Sequence, residues 1–439
     1  MAEIAPFTPL RYDLEKLAKE GGLAKVVAPP YDVIDAQQRA ELAARHQHNV
    51  VKLILPEGEG DRKYANAAEL YAAWRKEGVL VRDEEPAFYR YDQTFTPPGG
   101  GKPRTRTGFL GVVRLVPLDK GVVLPHERTL SGPKEDRLKL FRATKTNFSP
   151  GFLLYRDPEK KLDAALATAK ELATFETEDG VKHRFSKIAD KDAIRAIVEG
   201  VATSSLLIAD GHHRYETALR YSQENAGKGD RPESAYFMEF FCNGDDPDLV
   251  VFPTHRHVHS LPSFDYAATL EKVKALFDVT ELPPGASADV LTDALAKSGA
   301  ERPSLVIAAG DSRAALLALK KDADLAGHPV LGPRVAPLRK TDVALLHMGI
   351  LEPVLGVTPE MQAAKSNIWY PQDAAAALKS LRDGKGQTLF LMNGTPVAQV
   401  REVAEAGEVM PQKSTFFYPK VLTGLAINTL EEDRSVPTA

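Results

Sequence analysis

The sequence predicts an α+β protein, and three observations carry that reading. Helix-like and strand-like segments alternate along 439 residues without a fixed repeat length. Short apolar runs bounded by polar turns, such as Ser304 to Ala309 and Thr388 to Met392, read as buried strands. Tyr64 to Glu77 places Ala67, Leu70, Tyr71 and Trp74 on one face, which is the pattern of an amphipathic helix.

Taken in order, Val26 to Ile34 reads as a strand interrupted by Pro29 and Pro30, and a helix rich in Ala, Glu and Gln follows. Val50 to Leu55 reads as another strand. Phe88 to Phe95 alternates like one arm of a hairpin, Thr96 to Pro103 is its loop, and Thr107 to Val116 is the return. The character changes near Leu261-Pro262-Ser263, where the motifs give way to ordinary surface charge. Beyond it, Gly310-Asp311-Ser312 is a turn between the strand from Ser304 and the segment Ala314 to Leu319, and Thr341 to Leu355 reads as helical. The last nine residues are expected to fray. Four regions are therefore expected: an N-terminal α+β region at 1–120, a motif-rich nucleotide and catalytic region at 121–260, a small accessory region at 261–330, and a C-terminal region at 331–439 that returns to the site.

The chain is long enough for two or three domains. With 43% hydrophobic and 26% charged residues it reads as a soluble globular protein. A net charge of −4 with dispersed basic residues gives no polyanion-binding surface, so no specific nucleic-acid partner is expected. Cys242 is the only cysteine, which excludes an intramolecular disulfide and fits a reducing compartment. Met1 to Leu10 does not read as a signal peptide, and no run approaches the roughly 20 apolar residues of a membrane span. A cytoplasmic protein with no membrane partner is expected.

The most informative stretch is Ser204 to Leu219, a short apolar strand, a polar turn and the opening of a helix from His213 to about Ser222. The turn packs Asp210, Gly211, His212, His213 and Arg214 together. Gly211 permits a positive φ or a close ligand approach. Unpaired N–H groups at a helix start, the helix dipole and the planar fork of Arg214 all favour a phosphate there. Asp210 suits a magnesium ion or a proton from a hydroxyl. The plain alternative is an N-capping aspartate beside a satisfied histidine pair.

Four further clusters carry chemistry. His126-Glu127 lies in a run that continues through Arg128, a turn at Gly132-Pro133, Lys134 and Arg137. Leu130 stands where a zinc-protease helix needs its second histidine, so a metallopeptidase is rejected. The remaining cations suit a polyphosphate, with His126 or Glu127 in proton transfer, although a solvated charged helix would look the same. His255, His257 and His259 would share one face of a strand. Their ~6.6 Å spacing is wide for one metal ion, and Arg256 would point the other way, toward a ligand. Lys413-Ser414-Thr415 suits phosphate or carboxylate without being a P-loop. Ala28-Pro29-Pro30-Tyr31-Asp32 is stiff enough to present Tyr31 and Asp32 to a cleft, or to be only a rigid loop.

These motifs, in this order, resemble domain-of-unknown-function family 1015 over nearly the whole chain. The Asp210–Arg214 turn also resembles the nucleotide-binding turn of the ParB and sulfiredoxin superfamily, which includes kinases that phosphorylate free serine. That resemblance implies a ParB/sulfiredoxin-like core within a larger mixed body. It implies that Gly211, His212, His213 and Arg214 meet phosphate while Asp210 handles metal or proton. His212 stands where sulfiredoxin has its catalytic cysteine, so sulfinic-acid reduction is not expected, and without a basic recognition helix neither is centromere binding.

The leading expectation is a phosphotransferase using magnesium with ATP or ADP on a small hydroxyl metabolite, serine being the first candidate. Asp210, Glu127, His126 and His213 would be catalytic, with Gly211, His212, Arg214, Lys134, Arg137, Arg256, Lys413, Ser414 and Thr415 on the nucleotide. No structural zinc is expected. A nucleotide-binding switch and a phosphoester hydrolase are the alternatives.

Overall fold

The computed structural model describes residues 1–97, 100–129, 131–226, 230–431 and 434–438, with the backbone alone at 131–133. Pro98 and Gly99 of the hairpin loop, and Leu130, lie outside the described residues. The chain is a mixed α/β protein in two compact units. The first comprises Met1–Pro125, Thr129–Leu249 and Pro419–Ala439, and the second His126–Arg128 and Val250–Tyr418.

The first unit is built on a nine-stranded sheet. Its strands run in the order Val123–Leu124, Leu206–Asp210, Gly151–Tyr155, Tyr236–Asn243, Arg104–Arg114, Phe88–Phe95, Lys182–Ile188 and Lys170–Glu176, with Ile4–Ala5 added beside Arg104–Arg114. Two pairings are parallel, Leu206–Asp210 with Val123–Leu124 and Tyr236–Asn243 with Gly151–Tyr155. Tyr236–Asn243 is central because its run is almost wholly apolar, as a strand buried on both faces requires. Helices Ser131–Thr144 and His212–Glu224 pack together, and Phe141, Tyr215, Ala218 and Tyr221 join Phe109, Leu153, Phe237 and Phe241 in one core.

The hairpin of Phe88–Phe95 and Arg104–Arg114 forms as expected, with Tyr91 opposite Gly108. Gly108 has no room for a side chain. An added Cβ would meet the Phe240 ring and the Phe241 carbonyl oxygen on the next strand. Gly108→Ala is therefore expected to destabilise the protein by about 3 kcal/mol, at the upper end for overpacking, read as a lower midpoint in urea denaturation.

The second unit carries a six-stranded antiparallel sheet in the order Phe277–Glu281, Ala314–Leu319, Ser304–Ala309, Thr388–Met392, Arg256–Val258 and Ile368–Trp369. Helices Ala288–Gly299 and Ala374–Arg382 supply Leu291, Leu295, Leu378 and Leu381 to its core. Ser287 and Asp373 cap them by accepting amides three residues on.

Four local expectations need correcting. Val50 to Leu55 is not a strand, since Val51–Ile54 is a short helix. Asn49 starts it by accepting the Val51 amide at 2.9 Å while its own amide group holds the Lys25 and Val27 carbonyls. Val26 to Ile34 forms no ladder beyond a bridge from Ala28 to Thr423, and Tyr31–Val33 is a 3-10 turn. Two successive prolines remove the donors a strand would use. The turn expected at Gly132-Pro133 belongs to helix Ser131–Thr144, where a proline in the first turn forfeits no helical bond. The tail is not frayed at Val436, which is buried and donates its amide to Arg231 at 2.8 Å.

Candidate functional site

The sequence motifs sort into two clusters, one in each unit. In the first unit, the buried run Leu206-Leu207-Ile208-Ala209 brings the chain to Asp210. Gly211 follows in the left-handed region at φ 91° and caps helix His212–Glu224 with no side-chain bond. A Cβ there would stand 3.0–3.2 Å from the Arg214 guanidinium, so the glycine lets that side chain fold back over its own turn.

Asp210 is held from three sides. Its Oδ1 accepts the Gly211 amide at 2.8 Å, and its Oδ2 lies 3.1 Å from Lys420 Nζ and 3.5 Å from Arg214 Nη2. Arg214 is buried and also donates to the Pro150 carbonyl. Burial opposes its charge, but Asp210, with Asp32, Tyr31 and Glu239 behind it, outweighs burial and raises the guanidinium pKa. His212 is buried. His213 is half-buried, and its carbonyl accepts the Thr217 hydroxyl at 2.6 Å.

The Ala28–Asp32 motif joins the same cluster. Arg137 lies 4.3 Å from the centre of the Tyr31 ring, and Tyr31, Arg137, Arg214 and Ser149 line a cavity of about 30 Å³, enough for one water. Arg137 also holds Asp136 and donates to the Ile54 carbonyl at 2.5 Å. Burial raises the Asp136 pKa, but Arg137, Lys63 and Tyr64 overcome it and keep the carboxyl well below the usual range. Lys134 is engaged, with Nζ 2.7 Å from Glu216 and 3.0 Å from the Thr129 hydroxyl. A larger cavity of about 260 Å³ is lined by Ala28, Pro29, Leu42, Asp179, His183 and Lys420, among others. Burial pushes the His183 pKa down to about 4, which keeps that ring neutral near pH 7.

Two residues of this cluster escaped the sequence reading. Glu239 is buried, sits in register between Gly111 and Gly151, and leaves Oε2 without a hydrogen-bond partner in the protein. Its carboxyl occupies the space a Gly151 side chain would take. Burial pushes its pKa well up, Asp210 adding to the rise and Arg214 opposing it. Arg106 is buried between the rings of Phe152 and Phe240, at 4.8 and 5.4 Å, and donates to Gln93 and the Pro419 carbonyl. Its Nε and Nη1 have no hydrogen-bond partner in the protein, and burial lowers its pKa to about 10.

The second unit gathers His126, Glu127, Arg256, Lys413, Ser414 and Thr415. His126 Nε2 lies 2.8 Å from the Thr415 hydroxyl, and Glu127 accepts the Ser414 amide at 3.0 Å. Arg256 is buried, with Nε 3.0 Å from His347 Nε2 and Nη2 3.0 Å from the Lys413 carbonyl, so it braces the turn that carries Lys413 at φ 58°. Burial lowers the Arg256 pKa to about 10. The three neighbouring histidines are used for packing. His255 Nδ1 accepts the Met392 amide at 3.2 Å, while His257 and His259 pack on Trp369.

Comparison with known proteins bears out the family resemblance. The family described as protein of unknown function (DUF1015) matches residues 4–344. The chain belongs to this family. No curated protein matches it. Among solved structures, this DUF1015 member is similar to a conserved hypothetical protein from Pyrococcus furiosus at 14% identity and a TM-score of 0.36, over 72% of this chain and 94% of that one. A free serine kinase in complex with AMP aligns at 13% identity and a TM-score of 0.38, over 72% and 91%. A C-terminally truncated SbnI from Staphylococcus aureus aligns at 11% and 0.31, over 72% and 85%. Likenesses this weak carry no argument about the site. No helix among the described residues is long and apolar enough to cross a membrane.

Proposed function

We propose that this DUF1015 protein is a nucleotide-dependent phosphotransferase acting on a small hydroxyl metabolite. One observation carries the reading. A helix N-terminus capped only by Gly211 opens beside the buried guanidinium of Arg214, with Asp210 and Lys420 in the same cluster. Phosphoryl transfer needs fixed positive charge and orientation more than covalent chemistry. Arg214, backed by Arg137 across the small cavity, supplies fixed charge in a desolvated setting. Strand Leu206–Asp210 and helix His212–Glu224 are accordingly read as the centre of a ParB/sulfiredoxin-like nucleotide core. Serine is the first acceptor to test because the Asp210–Arg214 turn resembles that of free-serine kinases.

Magnesium fits this cluster in a limited way. Asp210 offers one carboxylate, and Lys420 already holds its Oδ2. An ion carried mainly by nucleotide phosphates needs little more from the protein. Such an ion would neutralise charge on the phosphates. Lys420 would then be released from Asp210 to the phosphates, leaving that carboxylate for the ion or for the acceptor hydroxyl proton. Lys134 would reach phosphate only by leaving Glu216.

His126 and Glu127 are proposed for proton transfer, and Arg256 and Lys413–Thr415 for the nucleotide. Calorimetric titration with magnesium and ADP, paired with turnover assays, tests this division. Glu127→Gln and His126→Asn should each lower acceptor-dependent turnover by about 100-fold or more while ADP affinity stays unchanged. Unchanged turnover in both variants would remove these residues from the mechanism.

A further inference from the structure

We propose that Glu20, His46 and His48 form a site for a divalent transition metal of the zinc type, clipping the N-terminal part of the first unit. Among the described residues, this is the one group of three His, Cys, Asp or Glu side chains whose donor atoms lie within 4.8 Å of one another. His46 Nε2 is 3.0 Å from Glu20 Oε2, and His48 Nε2 is 3.8 Å from Glu77 Oε2, so a fourth oxygen stands close by. Two imidazoles with a carboxylate form a donor set suited to zinc and its neighbours, whereas magnesium and calcium take oxygen ligands.

The rings are held in place. The His48 ring meets Trp74 edge-on at 5.4 Å, and the Tyr12 hydroxyl donates to the His48 carbonyl at 2.7 Å. The His46 ring accepts the His48 amide at Nδ1. A metal at Nε2 moves the ring proton to Nδ1 and ends that bond, so binding includes a small turn of the ring.

The position of the site gives it a consequence. Glu20 and His46 bracket the segment that carries Ala28–Asp32 and helix Ala36–Arg45, which together supply Ala28, Pro29, Gln38, Glu41, Leu42 and Arg45 to the 260 Å³ cavity. A metal that ties the two ends together restricts that wall and stabilises the folded state by mass action. This proposal departs from the expectation of no structural zinc. His46-Gln47-His48 has no second pair at metal-site spacing, and Glu20 reaches it only through the fold.

The test is calorimetric titration of zinc chloride into tag-free, chelator-treated full-length protein, alongside thermal melts. Saturable binding of a single zinc ion with a raised Tm is expected, and magnesium chloride should not reproduce it. The double variant His46→Ala/His48→Ala should lose both effects, and Glu20→Gln should weaken binding by about tenfold. The proposal is overturned if wild-type protein binds no zinc saturably, or if the double variant binds it as tightly. Should the double variant not fold, the exposed Glu20→Gln variant decides, and undiminished zinc affinity there is the contrary result.

Discussion

Replacing Arg214 with methionine is expected to lower ADP affinity by about 100-fold, roughly 3 kcal/mol, and to weaken the fold. The guanidinium is the buried cation of the Asp210 turn, and Gly211 is glycine partly so that this side chain can fold back. Its removal leaves the Pro150 carbonyl without that donor, at a cost of about 1–3 kcal/mol. It also removes the cation that tempers Glu239. Asp210 keeps Lys420 and the Gly211 amide, so the turn should persist. Arg214→Lys should recover little affinity, because an ammonium replaces a planar fork with a point charge. Isothermal titration gives the affinity and urea denaturation the stability. Wild-type ADP affinity in Arg214→Met would remove this residue from the phosphate site.

Glu239→Gln is expected to stabilise the protein at neutral pH and to change nothing below about pH 4. The Glu239 carboxyl has a folded pKa well above the ordinary value of 4.5, chiefly through burial. Above pH 4.5 the unfolded chain releases this proton while the folded protein keeps it. Folding therefore binds a proton, and stability contributed by the acid form is lost as pH rises, at up to about 1.4 kcal/mol per pH unit. The loss ends once pH passes the raised folded pKa. Glutamine keeps the shape and never ionises, so its advantage should grow from pH 5 to 8 in paired denaturation curves. Curves for the two proteins that stay parallel across this range would show that Glu239 is ionised in the folded state.

Much of the fold is legible in the sequence, for identifiable reasons. The runs at Ser304–Ala309 and Thr388–Met392 are too short and too apolar for surface helices, and both are strands. The run at Val50 to Leu55 has the same appearance, yet it is helical because the Asn49 side chain organises a turn from the segment near Val26. Such a contact between distant residues leaves no local trace. The Asp210 turn is legible because one glycine among an acid, two imidazoles and a guanidinium is an unusual local composition. Glu239 has a signal that passed unread, since a lone acid within an apolar central strand must be buried. Arg106 has one too, since period 2 places it on the same inward face as Gly108 and Leu110. Glu20 with His46 and His48 had none, because two separate turns, one at Glu20 and one at His46–His48, create that cluster only on folding.

The measurement that bears most directly on the central claim is phosphorus NMR of the purified protein with magnesium, ADP or ATP, and a pool of hydroxyl metabolites including serine. A phosphotransferase gives a new phosphoester resonance that appears only with one acceptor and vanishes in Arg214→Met. Nucleotide consumed to free phosphate whatever the acceptor contradicts the claim in favour of a hydrolase. Broadened nucleotide resonances without turnover contradict it in favour of a binding switch, and unperturbed resonances remove the nucleotide site altogether.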